Sequence, residues 1–218
     1  MNHAPPVRPP LLDVVQESAD RLGFPLTVDD RTGPLLTALA RYRPGGRLLE
    51  IGTGLGAGIA WMLPALSPGA RLTTIEINPL RHAAAAVTFA HDRRVESVCA
   101  DADKWLDTYT GEPFDLAFVN VRPENFDRLD TLVNLLNPAG LYIAGGLLPP
   151  DSDTRPDLTQ VEKLRQWWTH PDLLGYPARW AGGLQVAVKR QATRPRSRSG
   201  HPNQHRPTAD IDATGGQP

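Results

Sequence analysis

Sulfur, lysine and long apolar runs are what this 218-residue sequence has least of. Cys99 is its one cysteine, so no internal disulfide can form, and a reducing compartment is the simplest setting. It falls in an apolar run and reads as an inert core thiol. No stretch approaches the roughly 18 apolar residues of a membrane-crossing helix. An excess of charge is missing too. The 23 Lys plus Arg face 24 Asp plus Glu, for a formal net charge of −1. No global field draws the chain to nucleic acid or to an anionic membrane. The start, Met1 to Pro10, is rich in proline and lacks the apolar segment of a secretory signal. The expectation is a soluble cytoplasmic protein. What is present is ordinary: 40% apolar and 22% charged residues, enough for one domain with a full core.

Residues 1–10 read as a disordered leader, 11–190 as one domain and 191–218 as a disordered tail, polar and locally basic. Leu11, Val14, Val15, Ala19 and Leu22 have helical spacing and stop at Gly23; a second helix is expected over 30–43. Then strands and helices alternate. Strands are expected at 47–51, 72–77, 95–100, 114–119 and 141–144. Helices are expected at 59–66, 79–89, 102–109 and 124–136. Such alternation means βαβ units and a parallel sheet. After Pro149-Pro150 comes a helix at 158–168, then two strands, 173–180 and 183–189. The Ala181-Gly182 link is too short for a crossover, so these two should be antiparallel.

Gly52, Gly54, Gly56 and Gly58 follow the first buried strand and open a helix. Glycines there allow a sharp turn and close backbone approach to a ligand, beside the free N–H groups of the helix start. Gly52-x-Gly54-x-x-Ala57 also fits a dinucleotide fingerprint, which alone is weak. Glu50, at the end of a buried strand, would repel a pyrophosphate and suit a ligand with a cationic amino-acid end. Glu76 ends the second strand, where an acid can hold both ribose hydroxyls. Asp101 follows the third strand, where it could accept from an adenine amino group. Helix capping or a loop position is the competing explanation for each acid.

At this point the chain resembles the class I S-adenosylmethionine-dependent O-methyltransferases of the catechol and caffeoyl-CoA type. The resemblance rests on Leu48-Leu49-Glu50-Ile51-Gly52-Thr53-Gly54, the run Leu66 to Pro79 through Glu76, and Phe114 to Val119. Gly140 to Ala144 and Gly183 to Lys189 extend it, over roughly residues 25–190. It implies a Rossmann-like α/β fold, a seven-stranded mostly parallel sheet with an antiparallel last strand and helices on both faces. It implies Glu50 near the methionine amino group, Glu76 on the ribose, Asp101 with Ala102 near adenine, and Val28 capping the cofactor through its backbone. The candidate set for S-adenosylmethionine is Val28, Glu50, Gly52, Thr53, Gly54, Gly56, Gly58, Glu76, Ile77, Asp101, Ala102 and Asn120.

The family's divalent cation is not expected. Its ligands come from an Asp ending the fourth strand and an Asp-Asn pair ending the fifth; here these positions are Asn120 and Gly145-Gly146. The assisting lysine position is Pro123. Hard cations need several oxygen ligands, usually carboxylates. Arg122 could bind an acidic acceptor. No base stands out among His82, His91 and His170, and His170 reads as charge at a helix C-terminus. Trp167, Trp168 and Trp180 read as core. The reading is a metal-independent methyltransferase of a small molecule, at oxygen, with no nucleic-acid or membrane partner and a homodimer left open. A catalytically silent cofactor-binding protein and a nicotinamide oxidoreductase are the alternatives; Glu50 and the closing hairpin speak against the latter.

Overall fold

The computed structural model describes residues 7–147, 158–178 and 180–191. The leader (1–10) and tail (191–218) expected from sequence therefore lie largely outside the described residues. Helix α1 (Pro10–Leu22) starts on a proline, whose missing N–H costs nothing there, and ends at Gly23 in the left-handed region. Helix α2 (Thr32–Arg41) is shorter than the expected 30–43. Asp29 sets its start, accepting from the backbone N–H groups of Arg31 and Thr32 at 2.7 and 2.9 Å.

The alternating part follows as β1 (Arg47–Ile51), α3 (Ala57–Met62), β2 (Arg71–Glu76), α4 (Pro79–Phe89), β3 (Val95–Cys99), α5 (Ala102–Thr108) and β4 (Phe114–Val119). Pro64 cannot continue a helical ladder, so α3 passes into a 3-10 turn at Leu63–Ala65 instead of running to Leu66. Asn78 caps α4 by accepting from the N–H groups of Leu80 and Arg81.

The expected helix over 124–136 is not formed as such. A 3-10 turn at Pro123–Asn125 and the short α6 (Leu129–Asn134) take its place. Strand β5 (Leu136–Gly145) begins five residues earlier than the expected Leu141. Leu136 pairs with Phe114, and the register then shifts before Leu116 meets Leu141. Pro138 has no N–H to give to a ladder, which suits a bulge and hid the strand from sequence reading. Helix α7 (Leu158–Trp168), β6 (Leu173–Ala178) and β7 (Leu184–Lys189) complete the described elements.

The sheet order is β3-β2-β1-β4-β5-β7-β6. β7 is antiparallel to both of its neighbours: to β6, as the short link requires, and to β5, as the family likeness implies. Strand alternation splits the core. Leu48, Leu72, Leu116, Phe118 and Ile143 face α1, α2 and α3. Leu49, Ile75, Ala117, Val119 and Tyr142 face Leu106, Leu132, Leu164 and Trp167. Trp167 is therefore core, edge-on to Phe126 and Tyr142. Cys99 is not: it is exposed, because β3 lies at the sheet edge and little covers it. Among the described residues no helix is long and apolar enough to cross a membrane.

The first core half is packed tightly at one point. A Cβ on Gly33 of α2 would lie 2.0–2.3 Å from three atoms of the Trp61 indole, which is 1% exposed. Gly33→Ala should lower the free energy of unfolding by about 1–3 kcal/mol, the usual cost of overpacking. A urea unfolding midpoint equal to that of the parent protein would contradict this packing.

Candidate functional site

A cleft of about 640 Å³ opens at the carboxyl ends of β1, β2 and β4 and the start of α5. That volume suits a small-molecule ligand, and strand carboxyl ends are where open α/β sheets bind ligands. Another hollow of about 660 Å³ lies at the amino-terminal side of β2, lined by Leu66, Pro68, Phe89, Asp92 and Arg94. Two of its charges are spent on each other. Arg94 pairs with Asp92 and donates to the Leu63 and Leu66 carbonyls.

The cleft begins with the turn after β1. Gly52 has φ +89°, and a Cβ there would lie 2.7 Å from the Asn120 carbonyl oxygen and 2.6 Å from Val121. Only glycine permits that close approach of β1 to the end of β4. The Gly54 N–H then donates to Glu76 Oε2 at 2.8 Å. Glu76 is 3% exposed. Its Oε1 accepts from the Asn78 N–H at 2.9 Å and from Arg81 Nε and Nη2 at 3.1 and 2.8 Å. The Arg81 guanidinium lies 4.8 Å from the centre of the Phe24 ring. Phe24, Arg81 and Glu76 thus form one wall.

Asp101 occupies the next wall. Its Oδ1 caps α5 by accepting from the N–H groups of Asp103 and Lys104, so capping is one of its roles. Asp103 beside it has a carboxyl pushed up by burial, partly countered by the Asp127 N–H it accepts from. At the far end Asn120 donates through Nδ2 to Thr27 Oγ1 at 2.8 Å. A Cβ on Gly145 would lie 3.5 Å from Asn120 Oδ1, and one on Gly146 3.9 Å away. The ends of β4 and β5 therefore converge as the sequence suggested. They do so with one amide and no carboxylate, and Pro123 sits nearby in its 3-10 turn. Among the described residues no three His, Cys, Asp or Glu side chains cluster in a way that could hold a metal.

Of the expected residues, Gly52, Gly54, Glu76, Ile77, Asp101, Ala102 and Asn120 line this cleft. Val28, Glu50, Thr53, Gly56 and Gly58 do not; all five are buried behind it. The Val28 side chain belongs to the core at 2% exposure, and its neighbours Phe24 and Thr27 reach the cleft instead. Sequence reasoning missed Phe24, Thr27, Arg81 and Asn125. Arg81 carried a usable signal, since it lies five residues after Glu76 in the first turn of a capped helix. Phe24 and Thr27 sit in a loop without periodicity. Arg122 lines the cleft and pairs with Glu124 at 3.4 Å. His170, two residues past the end of α7, is buried, with Nε2 on Asp130 at 2.9 Å and Nδ1 accepting from the Asp172 N–H. Trp180 is 39% exposed under the Arg31 guanidinium, so it is not core.

Comparison with known proteins agrees with this geometry. Residues 49–143 match a family model described as a methyltransferase domain. The catechol O-methyltransferase of Mycobacterium tuberculosis is 28% identical over 174 residues, which is 75% of this chain and 79% of that one. Across several mycobacterial relatives the aligned segment spans 55–79% of the relative's length. Among solved structures, an O-methyltransferase of Streptomyces achromogenes involved in tomaymycin synthesis, in complex with SAM, superposes with a TM-score of 0.70. It is 25% identical and covers 84% of this chain and 90% of that one. A cofactor-bound protein from MTB gives a TM-score of 0.71 at 26% identity, with the same coverage.

Gly52→Ala should destabilise the fold by at least about 1–2 kcal/mol, the cost of left-handed backbone at a residue with a Cβ. It should also part the ends of β1 and β4. Gly69→Ala is the control: nothing lies within 4 Å of its Cβ position, so its effect should stay within about 0.5 kcal/mol. Thermal unfolding of the two variants gives the comparison, and equal stabilities would refute the close approach.

Proposed function

We propose that this member of the class I S-adenosylmethionine-dependent O-methyltransferases methylates an oxygen of a small-molecule acceptor without the help of a divalent cation. The carrying observation is Glu76, a carboxylate buried at the end of β2, facing the cleft and joined to the glycine turn. S-adenosylmethionine supplies an electrophilic methyl whose carbon–sulfur bond breaks as an acceptor oxygen attacks in line, the electron pair staying on a sulfur that becomes a neutral thioether.

The residues present fit that ligand. Glu76 offers acceptor oxygens to a ribose diol, and Ile77, exposed beside it, offers an apolar surface to a base. Asp101 and Ala102 border the same end of the cleft. Asn120 borders the other end, where the acceptor enters, and Gly145 and Gly146 lie next to it at the end of β5. A Cβ on Gly146 would meet only Asn120 Oδ1 within 4 Å, so that glycine leaves room, and Asn120 can donate to or accept from an acceptor oxygen. None of the three supplies a charged ligand able to strip water from magnesium. Among the described residues no histidine lines the cleft. The chain contributes position, holding the acceptor oxygen in line with the methyl donor.

Glu76→Ala should weaken S-adenosylmethionine binding by about 1.5–3 kcal/mol, the worth of charged hydrogen bonds, as read by calorimetry. If NAD binds and S-adenosylmethionine does not, the cofactor assignment is wrong. Methyl transfer to an acceptor found by screening should survive excess chelator. Activity that vanishes with chelator and returns with magnesium would overturn the cation-free reading. Tight cofactor binding without transfer to any acceptor would favour a silent binding protein.

A further inference from the structure

The hollow at the amino-terminal side of β2, about 660 Å³, is as roomy as the cleft, yet nothing in methyl transfer calls for it. Its floor is apolar. Leu66 and Phe89 are 6% and 4% exposed, and Leu11 and Pro68 stand beside them. Its rim carries an unmatched charge. Asp92 and Arg94 neutralise each other. The exposed side chains of His91 and Arg93 have no hydrogen-bond or ion-pair partner among the described residues. The turn that carries Arg93 is firmly built. The Asp92 N–H donates to the Phe89 carbonyl at 3.0 Å, the Arg94 N–H to Asp92 Oδ1 at 3.0 Å and the Val95 N–H to the Asp92 carbonyl at 3.1 Å.

The hollow also reaches the glycine turn. Phe89 ends α4, and a Cβ on Gly56 would lie 2.3 Å from Phe89 Cε2 and 3.1 Å from Cζ. The ring therefore rests directly on Gly56, whose N–H donates to the Thr53 carbonyl at 2.9 Å. Gly54, inside the same turn, is the residue bonded to Glu76. One side chain thus belongs both to the hollow and to the packing of the turn that borders the cleft.

We propose that this hollow is a second ligand site, taking a small amphipathic anion with an apolar body and one carboxylate, and that its occupant steadies the glycine turn through the Phe89 ring. The link to the cofactor rests on the methyltransferase reading; the site itself does not. An apolar body laid on Leu66 and Phe89 removes their remaining surface, and its own, from water. A carboxylate at the rim meets the planar fork of Arg93, which can give it two N–H groups at once. A cation would meet a like charge there, and a neutral body would keep only the apolar contact. An occupant packed on Phe89 favours the ring position that already abuts Gly56, and with it the turn as it stands. Ligands that favour one conformation strengthen each other, so the effect on the cofactor is tighter binding.

Naphthalene-2-carboxylate and its neutral carboxamide serve as probes, titrated by calorimetry into the parent protein, Arg93→Gln and Phe89→Leu. The affinity for S-adenosylhomocysteine is measured with and without saturating probe. The parent should bind the carboxylate about fivefold more tightly than the carboxamide, a charged contact weakened by exposure. In Arg93→Gln, a surface change that spares the fold, the two probes should bind alike, and S-adenosylhomocysteine alone should bind as in the parent. Saturating carboxylate should tighten S-adenosylhomocysteine in the parent by about fivefold. Phe89→Leu keeps an apolar floor and withdraws the ring from Gly56. It should retain the preference for the carboxylate and lose most of the tightening. Failure of the parent to bind either probe would overturn the proposal. So would a carboxylate preference untouched by Arg93→Gln, or a probe that displaces S-adenosylhomocysteine, since each puts the probe elsewhere. An S-adenosylhomocysteine affinity indifferent to saturating probe would overturn the role of Phe89. A protein that binds the carboxylate through Arg93, yet binds no S-adenosylhomocysteine with or without it, would sink the cofactor assignment and leave the second site standing.

Discussion

One carboxylate organises the cleft. Glu76 receives the Gly54 N–H on one oxygen and the Asn78 N–H and both Arg81 donors on the other. In this way the end of β2 fixes the turn after β1 and the first turn of α4 together. Hydrogen bonds to a charged group are about twice as strong as neutral ones, and this one is 3% exposed, so water competes little. The positive-φ backbone at Gly52 costs nothing because glycine stands there, and the bond to Glu76 at Gly54 selects that turn from the many a glycine-rich segment could adopt. Remove the carboxylate and the turn, the helix start and the arginine each lose a partner.

The end of the cleft near β4 and β5 is built on the opposite logic. Where β4 and β5 converge, side chains have been pared back: an amide at Asn120, then two glycines. Such an end orients a molecule through backbone groups and shape more than through charge. In a cation-free site the ionisation of the acceptor is its own property, so the pH response of transfer would follow the acceptor's acidity and differ from one acceptor to another. A bound metal would have imposed a common value.

Much of this was legible in the sequence, for identifiable reasons. Strands β1 and β4 stand at their expected bounds because they are buried apolar runs between glycine or proline signals. Helix α4 does so because Asn78-Pro79 marks its start. The early part of β5 was not legible, because Asn137, Pro138, Ala139 and Gly140 carry turn chemistry and are nonetheless held in the sheet by Leu136 pairing with Phe114. Cys99 was misread because an apolar run does not reveal whether its strand is central or at an edge. Glu50 is the instructive case. The family likeness puts it beside the ligand, and the structure buries its side chain on the face opposite Ile51, against Gly58. Phe24 and Thr27 enter the cleft only through the path of the α1–α2 loop, a tertiary fact that no local pattern encodes.

The contact between Arg81 and the Phe24 ring has a reach beyond the wall it forms. Phe24 immediately follows the Gly23 stop of α1, and Arg81 belongs to α4, so the guanidinium ties the amino-terminal helical pair to the second βαβ unit. The same guanidinium is held by Glu76, the carboxylate that we propose receives a ribose. Any ligand that draws Glu76 toward itself changes how firmly Arg81 rests on the ring, and hence how firmly α1 and α2 are docked. Thermodynamic reciprocity then makes the docking of the first helices and the occupancy of the cleft two readouts of a single coupling free energy.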